Sequence, residues 1–315
     1  MSLLSVIQSV CGEVGLTVPT LVLGNADSNI TQLYYLANRT GKELAINTQA
    51  AGYWERLRKQ YTFTTTGVGP YTCTITPGST ILTALSSTTG IVVGQQAYAS
   101  GLVNDSIVTN VNPGAQTVTI SQAPTSSVML TGQSVTFATE AYPFPSDLAY
   151  FINQTQWDRT FRWQLLGPIN AQEWQVIKSG ISPVGPRMRW RVFNGQININ
   201  PVGSASTIYT ETIAFEYVSN LWVATTGAPT TPAQTSYNTD TDISLIDEDL
   251  LIMGIKWRFL RAKGLSYDDE FEQFQAKYDM TIGRDAAARN LPLNARASGV
   301  RLLSSQNVPD TGFGS

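Results

Sequence analysis

The chain has 315 residues, more than the roughly 250–300 at which one hydrophobic core stops growing, so we expect two domains. Only 14% of the residues are charged, against about 25% in typical globular domains, and the net charge is −3. This predicts a neutral surface, much of it covered by partners, and excludes a generally basic nucleic-acid binder.

Histidine is absent and there are only two cysteines, Cys11 and Cys73. Their scarcity excludes Ser-His-Asp and Cys-His catalysis, histidine-ligated metals and thiolate zinc sites. We therefore expect no cofactor and no metal, and we expect both cysteines to be small core residues. The most apolar run, residues 250–255, is far shorter than the ~20 residues of a membrane helix, so no membrane partner is expected.

The N-terminal region predicts three helices. Apolar residues recur at helical spacing over residues 3–14. A second helix is expected to begin at Asp27 or Ser28, either of which can cap it, and Gly41 weakens its middle. A third is expected over residues 48–58, where the basic end complements the helix dipole.

A separate compositional block follows, because no lysine or arginine occurs between Lys59 and Arg159. Short β-branched runs alternate there with turn residues, and the motif Asn112-Pro-Gly114 predicts a type II turn within a hairpin. Strands are expected at residues 62–66, 90–94, 106–111, 117–120 and 134–137.

The block, residues 67–137, predicts a small all-β sandwich or barrel inserted between Thr66 and Val135. We favour an insertion over a tandem domain because residues 61–63 and 136–138 can pair as two halves of one interrupted hairpin.

The second half of the chain predicts antiparallel strands. A helical turn capped by Ser146 or Asp147 is expected first, then a strand at residues 161–165 and a short helix at 173–178. Residues 187–200 predict a β-hairpin, because Asn194-Gly195 is the preferred type I′ turn. The next strand is expected within residues 207–218.

The C-terminal part predicts two more helices and a tail. Residues 224–241 are expected to form an exposed loop. A capping box, Ser244-Leu-Ile-Asp247, opens a helix in which Trp257 should be buried against the N-terminal helices. Another helix opens at residues 266–269, and residues 286–315 have too few apolar side chains to form a core, which predicts an extended arm.

Together these elements predict an α+β fold. Residues 1–66 and 138–285 would form a core of bundled helices and antiparallel β-hairpins. The inserted β domain, 67–137, and the C-terminal arm, 286–315, complete the chain.

Three groups of residues are candidates for function. Arg187, Arg189 and Arg191 alternate along one strand face, which either contacts DNA phosphates or is a solvated or salt-bridged face. The acids at residues 247–249 and 268–270 lie at helix N-termini, where the helix dipole explains them. The seven tryptophans fit a carbohydrate-stacking platform or, at most of their positions, a core.

Several stretches outside the β block carry a resemblance. They are residues 3–16, Gln32-Leu-Tyr-Tyr-Leu-Ala-Asn-Arg39, Glu43-Leu44, Tyr142-Pro-Phe-Pro-Ser-Asp147, Gln156-Trp-Asp-Arg-Thr160 and Gly254-Ile-Lys-Trp-Arg258. In combination they resemble the head-to-tail adaptor (connector) proteins of tailed bacteriophages, chiefly of short-tailed phages. The β block departs from the simplest adaptors, which lack it.

The resemblance implies a virion structural protein at the head–tail junction, made in the host bacterial cytoplasm, and not an enzyme. It implies a ring, commonly of twelve copies, that docks beneath the portal protein and accepts the tail tube or nozzle below, with a tail fibre as an open further partner. Double-stranded DNA would pass through the lumen. Partner binding is expected of apolar and basic residues in the arm: Arg289, Leu291, Leu293, Arg296, Arg301, Leu302 and Leu303.

Two other function classes stay open. A receptor- or glycan-binding tail protein would act through the inserted β domain and its aromatic residues. A cell-wall hydrolase would need two carboxylates about 5–9.5 Å apart in a cleft, and the helix-capping acids do not suggest such a pair.

Overall fold

The computed structural model describes residues 2–46, 54–179 and 187–285. Within these ranges the chain combines α-helices with antiparallel strands in five sheets, none of them a closed barrel, which confirms the predicted α+β class. The predicted arm, including all seven of its candidate binding residues, lies outside the described residues.

The helices of the described ranges are α1 (Leu3–Val14), α2 (Ser28–Ile46), α3 (Ala171–Lys178), α4 (Glu248–Ala262) and α5 (Asp268–Asp285). Helix α1 begins after Ser2 and ends at Gly15, whose φ of 75° lies in the left-handed region that favours glycine. Helix α4 packs against α1, α2 and α5, and this bundle contains the largest hydrophobic core.

The predicted third helix is wrong where it can be checked. Glu55–Leu57 forms one 3₁₀ turn, Arg58 begins a strand, and residues 48–53 lie outside the described ranges. Arg58–Thr64 pairs along its whole length with a strand some 150 residues later, and this long-range pairing outweighs the local helical pattern.

The strands of the first half of the chain are β1 (Arg58–Thr64), β2 (Gly67–Ile75), β3 (Ile81–Leu82), β4 (Gln96–Ala99), β5 (Val108–Asn112), β6 (Thr117–Ile120), β7 (Leu130–Ala138), β8 (Ala141–Pro143) and β9 (Leu148–Phe151). Those that follow are β10 (Trp157–Asp158), β11 (Trp163–Gln164), β12 (Arg189–Phe193), β13 (Gln196–Asn200), β14 (Thr212–Ser219), β15 (Val223–Ala224) and β16 (Ile243–Ser244).

The block at residues 67–137 contains two three-stranded sheets, β2-β7-β4 and β3-β6-β5, with one hydrophobic cluster between them. The buried members of this cluster all come from residues 73–137. A separate β domain remains a prediction, and this cluster supports a sandwich. The β5–β6 hairpin is confirmed, but its positive φ falls on Gln116 and not on Gly114, so the turn is not type II.

Two expectations about this block are wrong. Residues 90–94 form turns, with positive φ at Gly90 and Gly94, and not a strand. Residues 61–63 pair with β14 and not with 136–138, because β7 is already paired with β2 and β4. The chain nevertheless enters and leaves the block side by side, since the Thr139 amide donates to the Thr66 carbonyl over 2.8 Å.

The central sheet has the order β1-β14-β10-β11, with β9 also paired to β14. Residues 148–151 are therefore strand and not the expected helical turn, because they pair with β14, and the Asp147 carboxylate accepts from Lys59, Tyr217 and Ser219 instead of capping a helix. Of the strand expected at 161–165, only Trp163–Gln164 forms.

The β12–β13 hairpin is confirmed. Phe193 pairs with Gln196, and the two turn residues, Asn194 and Gly195, have φ of 50° and 68°, as a type I′ turn requires.

Residues 224–241 are not simply an exposed loop. Tyr237 is fully buried, the Trp222 indole N–H donates to the Thr235 carbonyl over 2.8 Å, and β15 pairs with β16. Asp247, and not Ser244, caps α4.

Trp257 is buried as predicted, in the core cluster that α4 shares with the N-terminal helices, and its ring contacts Phe271 and Phe274 of α5. The hydrophobic stripe of α4 therefore covers more than one neighbour, because the helix is buried on several sides.

Candidate functional site

The three arginines predicted to share a face are not an uninterrupted basic row. Arg189 and Arg191 alternate along β12, whereas Arg187 precedes the strand. The Arg191 guanidinium stacks between two rings, with its Cζ 4.3 Å from the Trp174 centroid and 4.5 Å from that of Phe193. Arg191 is thus held to α3 by its aromatic neighbours.

Arg191 also faces a buried charge cluster that the sequence did not reveal. The Lys178 Nζ lies 2.7 Å from a Glu140 oxygen, 2.8 Å from Asp105 Oδ1 and 2.8 Å from Gln96 Oε1. Burial raises the pKa of Glu140, and the attraction of Lys178 only partly offsets it. Burial likewise lowers the pKa of Arg191, while Glu140 and Asp105 oppose the change.

This cluster joins the block at residues 67–137 to the rest of the chain. Asp105 is the single acid between Tyr61 and Thr139, in a stretch without lysine or arginine. A single carboxylate in a block without lysine or arginine indicates that its partner cation lies elsewhere in the fold. This feature of the sequence could have predicted an ion pair such as the one with Lys178.

Arg187 is exposed and Arg189 is half-buried. Among the residues that the structure describes, none of the three arginines has a carboxylate oxygen within 4 Å, so the salt-bridged interpretation finds no support there. Contact with DNA remains a prediction for Arg187 and Arg189. The Arg191 guanidinium is instead stacked on the rings of Trp174 and Phe193.

Large apolar side chains are exposed on and beside α3 and the β12–β13 hairpin. We call these the hairpin patch: Leu166 (41% exposed), Val176 (52%), Val192 (49%) and Phe193 (57%). Leu166 and Val176 line a groove of about 450 Å³ with Arg189 on its wall. Large apolar side chains exposed in this way are typical of protein–protein contact surfaces.

The acids at the helix N-termini have structural partners. Asp247 caps α4 by accepting from the Leu250 amide over 3.1 Å. Asp249 pairs with Lys277, and Glu270 pairs with Lys256, which joins neighbouring helices of the bundle. In the described ranges, no three His, Cys, Asp or Glu side chains are grouped so that they could hold a metal ion.

A different carboxyl pair lies at the start of β14. Glu211 is buried, and burial together with a side-chain hydrogen bond to Asp158 raises its pKa to about 8. The two groups touch, whereas glycoside hydrolysis requires carboxyl groups about 5–9.5 Å apart. Their contact therefore does not match that chemistry. The two residues are 53 positions apart in the sequence, so no local sequence pattern predicts their contact.

The cysteine and tryptophan predictions can be checked directly. Cys11 and Cys73 are buried as expected, and burial raises the pKa of Cys73 to about 11. Five tryptophans are buried: Trp54, Trp174, Trp190, Trp222 and Trp257. Trp163 is the exposed exception, at 38%.

Two of the stretches that carry the adaptor resemblance meet in the folded chain. Arg258 on α4 donates to Glu43 on α2, and a Cβ at Gly254 would lie 2.6 Å from the Thr40 side chain, so the two helices approach closely at this glycine. Glu43, Gly254 and Arg258 thus have a structural role in the packing of α2 on α4.

No known protein-family model matches the sequence, and a search of curated proteins finds no match. Within the described residues, no helix is both long and apolar enough to cross a membrane.

Proposed function

We propose that this chain is a structural subunit of a tailed-phage virion, the head-to-tail adaptor between portal and tail tube or nozzle, and that it acts without catalysis. The hairpin patch is the observation that carries this function. Four large apolar side chains stay exposed in a chain with only 14% charged residues, and burying them against a second copy would be favourable.

A ring suits such a surface. A patch on one side of a subunit that contacts a different surface of the next copy generates a closed ring when the rotation closes. Twelve copies, the portal above, the nozzle below and DNA in the lumen all follow from the resemblance. Arg187 and Arg189 are our candidates for facing the DNA.

The assembly test uses the double variant Val192→Ser with Phe193→Ser, at the hairpin tip. The matched control is Val128→Ser with Met129→Ser, which removes side chains that are equally exposed, at 62% and 61%, on the inserted block. The mass of each chain is measured by light scattering, with and without the cognate portal ring. We expect the wild type and the control variant to assemble into rings, and we expect the hairpin variant not to assemble. Rings of normal mass from the hairpin variant would overturn the proposed interface.

The arm needs its own test, because a segment that orders on docking should lower assembly when it is removed. A chain ending at Asp285 is compared with the full chain in the same portal assay. Equal assembly would show that Arg289, Leu291, Leu293 and the other arm residues are not the docking element.

A further inference from the structure

A cavity of about 460 Å³ opens where the inserted block meets the central sheet and the end of α3. It falls within the roughly 300–1,000 Å³ range of small-molecule sites. Six of its lining residues, from separate segments of the chain, could contact a ligand: Gln96, Asn104, Phe161, Trp163, Asn200 and Glu211. Neither the arginines nor the hairpin patch belong to this cavity.

One wall of the cavity is an exposed aromatic pair. Phe161 and Trp163 are 56% and 38% exposed, and their ring centroids lie 5.9 Å apart with an angle of 33° between the planes. Covering these two exposed rings with an apolar ligand face would be favourable in water. The pair is therefore a candidate stacking platform.

The platform is held in place before any ligand arrives. The Asp158 carboxylate accepts from the amides of Thr160 and Phe161, over 2.8 and 3.3 Å, and closes the turn between β10 and β11. Arg162 completes the turn with φ of 62°. Because the backbone is fixed on both sides of Phe161, little conformational entropy would be lost on stacking.

The opposite wall supplies amide groups. Asn200 is only 5% exposed, yet its side chain makes no hydrogen bond to another described residue, and buried amides normally have such partners. Gln96 accepts from Lys178 through Oε1, which leaves its Nε2 to donate. Asn104 stands exposed at the rim. These groups offer both donors and acceptors.

The cavity offers no free charge. Lys178, the cation on its wall, is already paired with Asp105 and Glu140. Glu211 is buried and hydrogen-bonded to Asp158, and its pKa is raised to about 8, which favours the neutral, protonated form. A phosphate, carboxylate or ammonium ligand would find no unpaired counter-ion, so the chemistry favours a neutral ligand.

We propose that this cavity binds a neutral saccharide, with the C–H face of one sugar ring on Trp163 and Phe161 and its hydroxyl groups on the amides of Asn200 and Gln96. Sugar C–H groups pack against the electron-rich face of aromatic rings, and hydroxyls both donate to and accept from amides. The site would give a virion subunit contact with a cell-surface glycan. It stands apart from the adaptor assembly, because none of its residues lies in the hairpin patch.

The site differs from a glycan site on the inserted block alone. The block contributes Gln96 and Asn104, but the stacking rings belong to the β10–β11 hairpin of the core. The isolated block should therefore lack the platform.

The experiment titrates the full chain with glucose, galactose, mannose and N-acetylglucosamine and their disaccharides, followed by calorimetry and tryptophan fluorescence. Galacturonic acid and glucosamine serve as charged probes. We expect at least one neutral sugar to bind, and Trp163→Ala and Asn200→Ala each to weaken it about tenfold, since each removes roughly 1.4 kcal/mol of contact.

Two further variants keep the test decisive. Trp163→Tyr should retain binding because it keeps a ring, and Tyr35→Ala, which removes an exposed aromatic ring outside both the cavity and the hairpin patch, should leave affinity unchanged. Failure of every neutral sugar to bind would overturn the site. Equal binding by the charged probes would overturn its neutrality, and unchanged binding in Trp163→Ala would overturn its location. None of these outcomes bears on ring assembly.

Discussion

Lys178 on α3 and Asp105 in the block at residues 67–137 form an ion pair, with 2.8 Å between Nζ and Oδ1. The same ammonium group contacts Glu140, which is the more buried of the two acids. One lysine thus compensates a charge in each of two parts of the chain, and its loss should affect both.

We expect Lys178→Met to lower the free energy of unfolding by about 3–5 kcal/mol, because it leaves the Glu140 charge buried without a partner. Asp105→Asn should lower it by about 1 kcal/mol or less, since Asp105 is one-third exposed. Urea unfolding measures both. Adding Glu140→Gln to Lys178→Met should restore part of the loss. A double variant no more stable than the single one would show that the uncompensated charge is not the cause.

Asp147 is a half-buried carboxylate with a testable role. It accepts from Lys59 over 2.7 Å and from Tyr217 and Ser219 over 2.8 Å each. Burial alone would raise the pKa of Asp147, but these three hydrogen bonds outweigh burial and lower it. Its stabilising contribution is therefore present above the ordinary aspartate pKa and is lost as the pH falls through the lowered value.

We expect Asp147→Asn to lower the free energy of unfolding by about 2–3 kcal/mol at neutral pH. The difference from the wild type should shrink as the pH is lowered towards 3. Asp279→Asn, an exposed change in the middle of α5, should have an effect within about 0.5 kcal/mol. A difference that stays constant with pH would contradict the assigned ionic role.

Local patterns in the sequence predicted the elements that local chemistry determines. Asn194-Gly195 predicted its hairpin, and the apolar spacing over residues 3–14 predicted α1 with the bounds that the structure shows. The pairing of Arg58 with Val218 and the contact of Glu211 with Asp158 have no local signal, because the partners are many residues apart. The cavity is assembled from several separate segments, so only the folded chain brings its residues together.

Glu211 gives the fold a pH dependence of the opposite sign from Asp147. Its pKa is raised to about 8 in the folded chain by burial and by Asp158, so the folded state holds a proton that the unfolded chain releases near its ordinary value. This contribution is complete below about pH 4.5 and is lost as the pH rises through about 8.

We expect the free energy of unfolding of the wild type to decrease, relative to that of Glu211→Gln, as the pH rises from about 5 to 8. The decrease should be up to about 1.4 kcal/mol per pH unit. The glutamine keeps a neutral group that can donate to Asp158 but cannot release a proton. Urea unfolding at several pH values measures the difference between the two chains. A difference independent of pH would show that Glu211 is ionised in the folded protein.

Gly41 and Gly12 both lie within helices, but one is tightly packed and the other faces open space, so the same substitution can be compared at both. A Cβ added at Gly41 in α2 would lie 2.1 Å from the Trp222 ring, whereas one added at Gly12 in α1 would meet nothing within 4 Å. Gly41 thus lowers the helix propensity of α2, as its sequence predicts, and in return lets the fully buried indole of Trp222 lie directly on the helix backbone.

Gly12→Ala should raise the free energy of unfolding by about 0.5–1 kcal/mol, since alanine favours helix and reduces the freedom of the unfolded chain. Gly41→Ala gains the same propensity but forces the Trp222 ring to move within a packed core, which costs about 1–3 kcal/mol or more. Thermal and urea unfolding should therefore shift in opposite directions for the two substitutions. A shift in the same direction would mean that Trp222 does not lie against Gly41 and that the α2 packing described above is wrong.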